Sequence, residues 1–397
     1  MRFSPEDELW MRRALELAAR GLGLTRPNPA VGAVVVRKGR VVGEGYHKAA
    51  GRLHAEPIAL DRAGAAARGA TLYVTLEPCC HLGRTPRCTD RIIAAGIRRV
   101  VIPIMDPNSL VAGHGIRKLR EAGVRVDVGL LAHEATHLNE TFLTYHLLRR
   151  PFFIAKWAVT LDGRFNTLTG DSCWITNEPS RRYVHQLRAR YDAVMVGVGT
   201  VLVDNPRLNV RLRGRRRIIQ PTRIIVDGTL RTPFKAHCLD PTDAGPTILA
   251  TTDAAPEARI ERMKRLGATV LVVPGFKGIV DLAALARQLH GLGIQSVMVE
   301  GGQKLLTSLF AAGLVDRIAA FVAPKVIGGE QPAHLLSGWG VREMQQAIEL
   351  EHVAIRRFGT DVCVEGYVRR DVGEKGRRQK EKVKRQKSKV RRPRGQE

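Results

Sequence analysis

No stretch of this 397-residue chain strings together the ~18–20 apolar residues that a bilayer-spanning helix needs, although 44% of its residues are hydrophobic. Its first residues, "MRFSPEDELWMRR", carry charge where a secretory leader would need an apolar core, so export is not expected. Cysteine is scarce: there are six, unevenly spaced, and three of them crowd into "TLEPCCHLGRTPRC" (residues 75–88). Such usage argues against a disulfide scaffold and for a reducing, cytoplasmic setting, where clustered thiols bind metal or do chemistry. The C-terminal half lacks both common nucleotide signatures, the G-x-G-x-x-G after a first strand and the G-x-x-x-x-G-K-[ST] loop.

Acidic residues are also in deficit, 38 against 64 Lys and Arg, for a formal net charge of +26. That excess would suit a polyanionic partner, but its distribution weakens the idea. A net +10 sits in residues 369–397, a tail with no apolar period and no aromatic residue, which is expected to be disordered. The rest is spread thinly, apart from "RLRGRRR" at residues 211–217. A solvated basic surface with weak, nonspecific attraction for nucleic acid is the better reading. A base deaminase working on nucleic acid, anchored by the tail, would leave the C-terminal half unexplained.

What remains is enough for two domains. In residues 1–146, "SPEDELWMRRALELAARG" predicts a helix with Ser4 as N-cap and Pro5 at the first position. "VGAVVV" and "RVVGEGY" predict a hairpin around Lys38 and Gly39, followed by a helix from about His54 and the strand "ATLYVTL". Helices near residues 89–95 and 116–122 then alternate with "RRVVIPIM" and "VRVDVG". A basic boundary, "TYHLLRRPF", precedes a second alternation over residues 151–368, from "FFIAKWAVTLDG" to "TDVCVEGYV". Repeated strand–helix alternation predicts largely parallel sheets covered on both faces, with chemistry at the strands' C-terminal ends.

Adjacent Cys79 and Cys80 are badly placed to bridge each other. The cluster is therefore a redox pair or part of a metal site. "HAE" at residues 54–56, one helix and one strand upstream, favours metal. A catalytic zinc takes three protein ligands and keeps the fourth position for water. His54, Cys79 and Cys88 are the candidate ligands, and Glu56 is the candidate proton shuttle. This is the H-x-E…P-C-x-x-C logic of zinc deaminases, with the second thiolate nine residues on instead of three. Pro57 disfavours helical backbone in the residue before it, so Glu56 is expected just outside the regular helix.

The longer spacing, together with "TRPNPAVGAVVV", "GEGYH" and "HAE", resembles the deaminase half of the bifunctional riboflavin-biosynthesis deaminase–reductase family. That resemblance implies a cytidine-deaminase-like α/β/α sandwich, makes Cys80 a bystander and gives Asn28 a pyrimidine contact. His47, His81 and Arg84 are weaker candidates to face substrate or phosphate. In the second half, "KWAVTLDGR", "TGDSCWIT", "LRARYDAVMVGVGTVLVDNPRLNVR", "VEGG" and "APKVIGG" resemble the family's reductase, similar in fold to dihydrofolate reductase. The implied cofactor is NADPH, lined by Ala158, Trp174, Thr200, Asp204, Gly302, Gln303, Lys304, Leu305, Leu306, Thr307 and Ser308. The implied substrate contacts are Ser172, Arg188, Leu208, Arg211 and Glu300, where a guanidinium could grip a sugar phosphate with paired hydrogen bonds. Lys156 is a further polar group in an apolar strand. The expected partners are a phosphoribosyl-pyrimidine, Zn2+ and NADPH, with no membrane; homo-oligomerisation is left open.

Overall fold

The computed structural model describes residues 3–80, 86–108, 111–212, 214, 218–242, 245–329, 335–336 and 338–369. The expectations for His81, Arg84, residues 213 and 215–217 of the basic loop, and the tail from residue 370 fall outside these residues. Among the described residues no helix is long and apolar enough to cross a membrane.

The N-terminal part runs α1 (Pro5–Ala19), β1 (Gly32–Arg37), β2 (Arg40–Tyr46), α2 (Ala55–Ala63), β3 (Thr71–Val74), α3 (Cys88–Ala94), β4 (Arg99–Ile102), α4 (His114–Glu121), β5 (Arg125–Val128), α5 (Ala132–Leu138) and α6 (Glu140–Leu148). Its strands lie in the order β2-β1-β3-β4-β5. Strands β3-β4-β5 are parallel, as expected, and β1 is antiparallel to β3, while β1 and β2 pair antiparallel as the expected hairpin. The cause is the tight turn at Lys38 and Gly39, both at positive φ, which reverses the chain between β1 and β2.

Side chains alternate across β1. Ala33 and Val35 pack with Ala59, Leu60, Ile92, Ile116 and Leu119 on the face covered by α2, α3 and α4. Val34 and Val36 pack with Met11, Ala14 and Leu17 of α1 on the other. The result is a three-layer α/β/α sandwich.

Helix α1 begins as its sequence predicts. Ser4 accepts from the Asp7 amide, and Asp7 returns the bond to the Ser4 amide at 3.0 Å. The same carboxylate accepts from Tyr73 Oη at 2.7 Å and from Arg99 at 2.6 and 3.1 Å, tying α1 to β3 and β4. Burial alone would raise the Asp7 carboxyl, but these donors hold it down at about 2. Its contribution to stability is therefore complete above about pH 4 and lost as the pH falls toward 2. Asp7→Asn is expected to lower unfolding free energy at neutral pH by roughly 2–3 kcal/mol. In denaturant titrations the gap between variant and parent should close on acidification through that window.

The second part contains β6 (Phe152–Thr160), α7 (Glu178–Arg188), β7 (Ala193–Gly197), α8 (Val198–Asp204), β8 (Thr222–Val226), β9 (Thr247–Thr251), α9 (Glu257–Arg265), β10 (Thr269–Val272), β11 (Gly275–Phe276), β12 (Ile279–Val280), α10 (Leu282–Gly291), β13 (Ser296–Val299), α11 (Gln303–Ala311), β14 (Arg317–Ala323), β15 (Leu350–Phe358) and β16 (Asp361–Val368). Nine of its strands form one sheet, β10-β9-β8-β7-β13-β6-β14-β16-β15. Pairing is parallel from β10 to β14 and antiparallel at β16 and β15. Phe153, Met195, Val297 and Val299 face α10 and α11, whereas Ile154 and Met298 face α7 and Val194 and Leu249 face α9.

The two parts are joined by specific contacts as well as by the chain. Arg26 lies 3.3 Å from Asp192 and donates to the Tyr191 carbonyl, while Gln295 Nε2 donates to the Pro27 carbonyl at 2.8 Å. Tyr145 of α6 donates to the His290 carbonyl at 2.9 Å and stacks on the His290 ring.

Candidate active sites

Three segments deliver the first site. His54 is the N-cap of α2, Cys79 lies in the loop after β3, and Cys88 opens α3. His54 Nδ1 is 3.6 Å from Cys79 Sγ and 3.3 Å from Cys88 Sγ, and the Cys88 amide donates to Cys79 Sγ at 3.5 Å. Zinc with bonds of ~2.05 Å to nitrogen and ~2.3 Å to sulfur in a tetrahedron would separate those atoms by about 3.5 Å, so the donor set fits the ion. The Cys88 thiol hydrogen-bonds the Cys79 sulfur; this lowers the Cys79 pKa and raises that of Cys88. Cys80 is not among the converging ligands.

Glu56 sits inside the first turn of α2, not outside the helix as expected. Pro57 occupies a position whose N–H would have no intrahelical acceptor, so the ring breaks no helical bond and the turn closes around it. The carboxyl is buried, and its Oε2 has no hydrogen-bond partner. Burial, with the nearby Cys79 sulfur, raises its pKa to about 7. An orphaned buried oxygen beside three metal-type ligands is the feature a bound, polarised water would complete.

Asn28 is tied to the same pocket through His47. His47 Nδ1 lies 3.0 Å from the Leu53 carbonyl, which can only accept, so this nitrogen carries the proton. Nε2 therefore accepts, and Asn28 Nδ2 donates to it at 3.1 Å. The His47 and His54 rings meet edge-on at 5.3 Å.

Glu77, in "EPC", was not singled out in the sequence. It is buried and accepts from the amides of Asp106 (3.2 Å), Gly113 (2.9 Å) and Ile116 (3.1 Å). It thereby knots the loop before α4 to the loop carrying Cys79. Gly115 is required at this junction, because a Cβ there would lie 2.2 Å from the Pro78 carbonyl oxygen. The available signal was an acidic residue flanked by apolar strand and proline, a place where a carboxylate must find donors.

In the second half, the ends of β7 and β13 meet. The Gly197 amide donates to the Gly301 carbonyl at 3.3 Å, and a Cβ on Gly302, which sits at φ +56°, would lie 3.4 Å from Thr200 Oγ1. The amide end of α11 opens beside α8, which carries Thr200 and ends at Asp204. Trp174 is 65% exposed, with Arg181 over its ring at 4.7 Å and Lys325 Nζ donating to its carbonyl at 2.6 Å. Not every residue of the expected cofactor run faces outward. Leu305 and Leu306 point into the core, and Thr307 and Ser308 donate back to the Gln303 and Lys304 carbonyls. Helical periodicity divides the run, with Gly302, Gln303 and Lys304 at the amide end of α11.

Arg188 closes α7. Its fork is engaged by Glu300, through Nη2 at 2.8 Å and through Nε, and its Nη1 donates to the Asn209 carbonyl at 2.8 Å. The paired hydrogen bonds expected for a phosphate go to this buried carboxylate. Lys156 Nζ lies 4.0 Å from Glu300, and burial depresses the ammonium's pKa. Burial would raise Glu300, but Arg188 holds it down at about 2. Leu208 turns its side chain into the core at φ +56°, so only its main chain can meet a ligand. Ser172 and Ala158 are half-buried, Ser172 in the segment before α7 and Ala158 on β6. Arg211 is exposed; it donates to Asn209 Oδ1, and its amide donates to His185 Nδ1 at 3.3 Å. His185 was missed in the sequence. Burial, then Arg188 and Arg211, push it down to about 4.

A zinc-type deaminase site in an α/β/α sandwich, fused to a second α/β domain with a polar cluster at its strand ends, defines a two-activity enzyme. Residues 4–104 match the family model for the cytidine and deoxycytidylate deaminase zinc-binding region, and residues 151–364 match that for the RibD C-terminal domain. The chain belongs to the RibD family of riboflavin biosynthesis proteins. It is 46% identical over 358 residues to the protein of Aquifex aeolicus, covering 90% of this chain and 97% of that one. It is 41% identical over 370 residues to that of Escherichia coli, covering 90% and 98%. The structure superposes on Acinetobacter baumannii RibD with a TM-score of 0.82 at 34% identity, covering 92% and 99%. A Thermotoga maritima diaminohydroxyphosphoribosylaminopyrimidine deaminase/5-amino-6-(5-phosphoribosylamino)uracil reductase gives 0.79 at 36% identity, with the same coverage.

Proposed function

We propose that the chain performs two consecutive steps of riboflavin biosynthesis, with residues 1–146 as the deaminase and residues 151–368 as the reductase. The first step hydrolyses the 2-amino group from 2,5-diamino-6-(5-phosphoribosylamino)pyrimidin-4-one. The second reduces the ribosyl side chain, giving 5-amino-6-(5-phosphoribitylamino)uracil. The observation that carries the reading is the convergence of His54 Nδ1 and two sulfurs beside the unpartnered Oε2 of Glu56.

A Zn2+ held by His54, Cys79 and Cys88 would polarise water and bring its pKa toward about 7. Glu56 takes a proton from the attacking water and delivers it to the departing nitrogen; a carbon–oxygen bond forms, the carbon–nitrogen bond breaks, and ammonia leaves. A carboxyl buried into the neutral range can do both. Asn28, its amide nitrogen given to His47, turns its carbonyl oxygen to a donor on the heterocycle edge.

In the reductase, NADPH supplies a hydride when bound, and the protein's task is register. Thr200, Asp204, Trp174, Ala158 and the amide end of α11 would hold the cofactor. The Lys156, Glu300 and Arg188 cluster orders the sugar, with Ser172, the Leu208 main chain and Arg211 completing the substrate contacts. Product analysis with purified protein tests both halves. Ammonia should appear without NADPH, and the ribityl product only with it. Removing metal with a chelator should stop ammonia release and spare reduction of the already deaminated intermediate; loss of both activities together would overturn the division of labour.

A further inference from the structure

The chain also contains "HEATH" at residues 133–137, far from the cysteine cluster in sequence. Histidines at i and i+4 share one face of a helix, a spacing that suits two ligands of one metal ion. Both lie on α5, in the N-terminal half. A third histidine reaches them from the other half: His352 on β15, the edge strand of the nine-stranded sheet. It stands at a register shift between Glu351 and Ala354, with φ +52°, which swings its ring toward α5.

The three rings converge on their Nε2 atoms. His137 Nε2 and His133 Nε2 are 3.0 Å apart, and His133 Nε2 and His352 Nε2 are 3.1 Å apart. Hydrogen bonding cannot account for both contacts. A neutral imidazole nitrogen has one in-plane site, filled by either a proton or a lone pair, so His133 Nε2 can satisfy one neighbour and not the other. A cation at the centre would accept all three lone pairs. Tetrahedral coordination with bonds of ~2.05 Å puts ligand nitrogens about 3.3 Å apart, a few tenths of an ångström beyond the present spacing. His133 and His352 are exposed and His137 is half-buried, so an ion can enter from solvent without opening the fold. Glu134, the acidic residue of the motif, lies 3.9 Å from Arg12.

We propose that His133, His137 and His352 form a second metal site, for a borderline divalent cation such as Zn2+, that staples α5 to the edge strand β15 and so clamps the deaminase half to the reductase half.

The test uses the full chain with its cysteine site already filled, titrated with Zn2+ alone and followed by calorimetry and elemental stoichiometry. One further equivalent should bind and raise the melting temperature. His352→Ala should weaken that equivalent by at least ~10-fold, since losing a ligand costs no less than losing a group that orients one, and should remove the thermal gain. Ammonia release should be unchanged in this variant. A Cys79→Ser, Cys88→Ser chain should keep the histidine equivalent. No second equivalent in the parent, or undiminished binding in both His352→Ala and His133→Ala, would overturn the assignment.

Discussion

Glu56→Gln is expected to reduce ammonia release by at least ~100-fold, and up to ~10,000-fold, while zinc stays bound and the deaminated intermediate is still reduced. The effect is local. Glutamine preserves the shape of a side chain that is fully buried at the start of α2, so packing and the His54 cap position persist. What disappears is a group able to hold a proton, in a pocket where Oε2 has no other partner. Parallel measurements of ammonia and NADPH consumption check it. Should the glutamine variant deaminate at the parental rate, the proton passes by another route and the site has been misassigned.

Arg188→Ala is expected to have the larger structural effect. It strands the Glu300 carboxylate, buried and left with Lys156 at 4.0 Å, and should cost about 3–5 kcal/mol of stability together with the reductase activity. A second variant separates stability from chemistry. Arg188→Met combined with Glu300→Leu removes both charges and fills the space with apolar groups; stability should largely return. Reduction should not, because the cluster proposed to order the sugar is gone. Recovery of reductase activity in the double variant would make the pair purely structural. Deamination should survive in the double variant, measured as ammonia without NADPH.

Much of this was legible in one dimension. The Ser4 cap, the hairpin at Lys38 and Gly39, and the strand–helix alternation are written in local periodicity and turn chemistry, which depend on neighbours within a few residues. The metal ligands were legible too, since few residue types bind zinc and the chain has few cysteines to offer. Helices α9 and α10 and strand β15 were not among the segments singled out; α9 is mostly charged, and β15 is exposed along much of its length, so neither advertises a buried face.

The sequence by itself determined the candidate ligand types, the presence of two successive α/β parts and the candidate acid–base residue beside the ligands, because these follow from composition and spacing. Only the tertiary structure decided where they point. It gave the Arg188 fork to Glu300, turned Leu208, Leu305 and Leu306 inward, made Glu77 the knot behind Cys79, and brought His352 to a helix more than two hundred residues away. Those outcomes depend on which strand ends meet across a sheet and which face of a helix is covered, and chain-local patterns do not encode either.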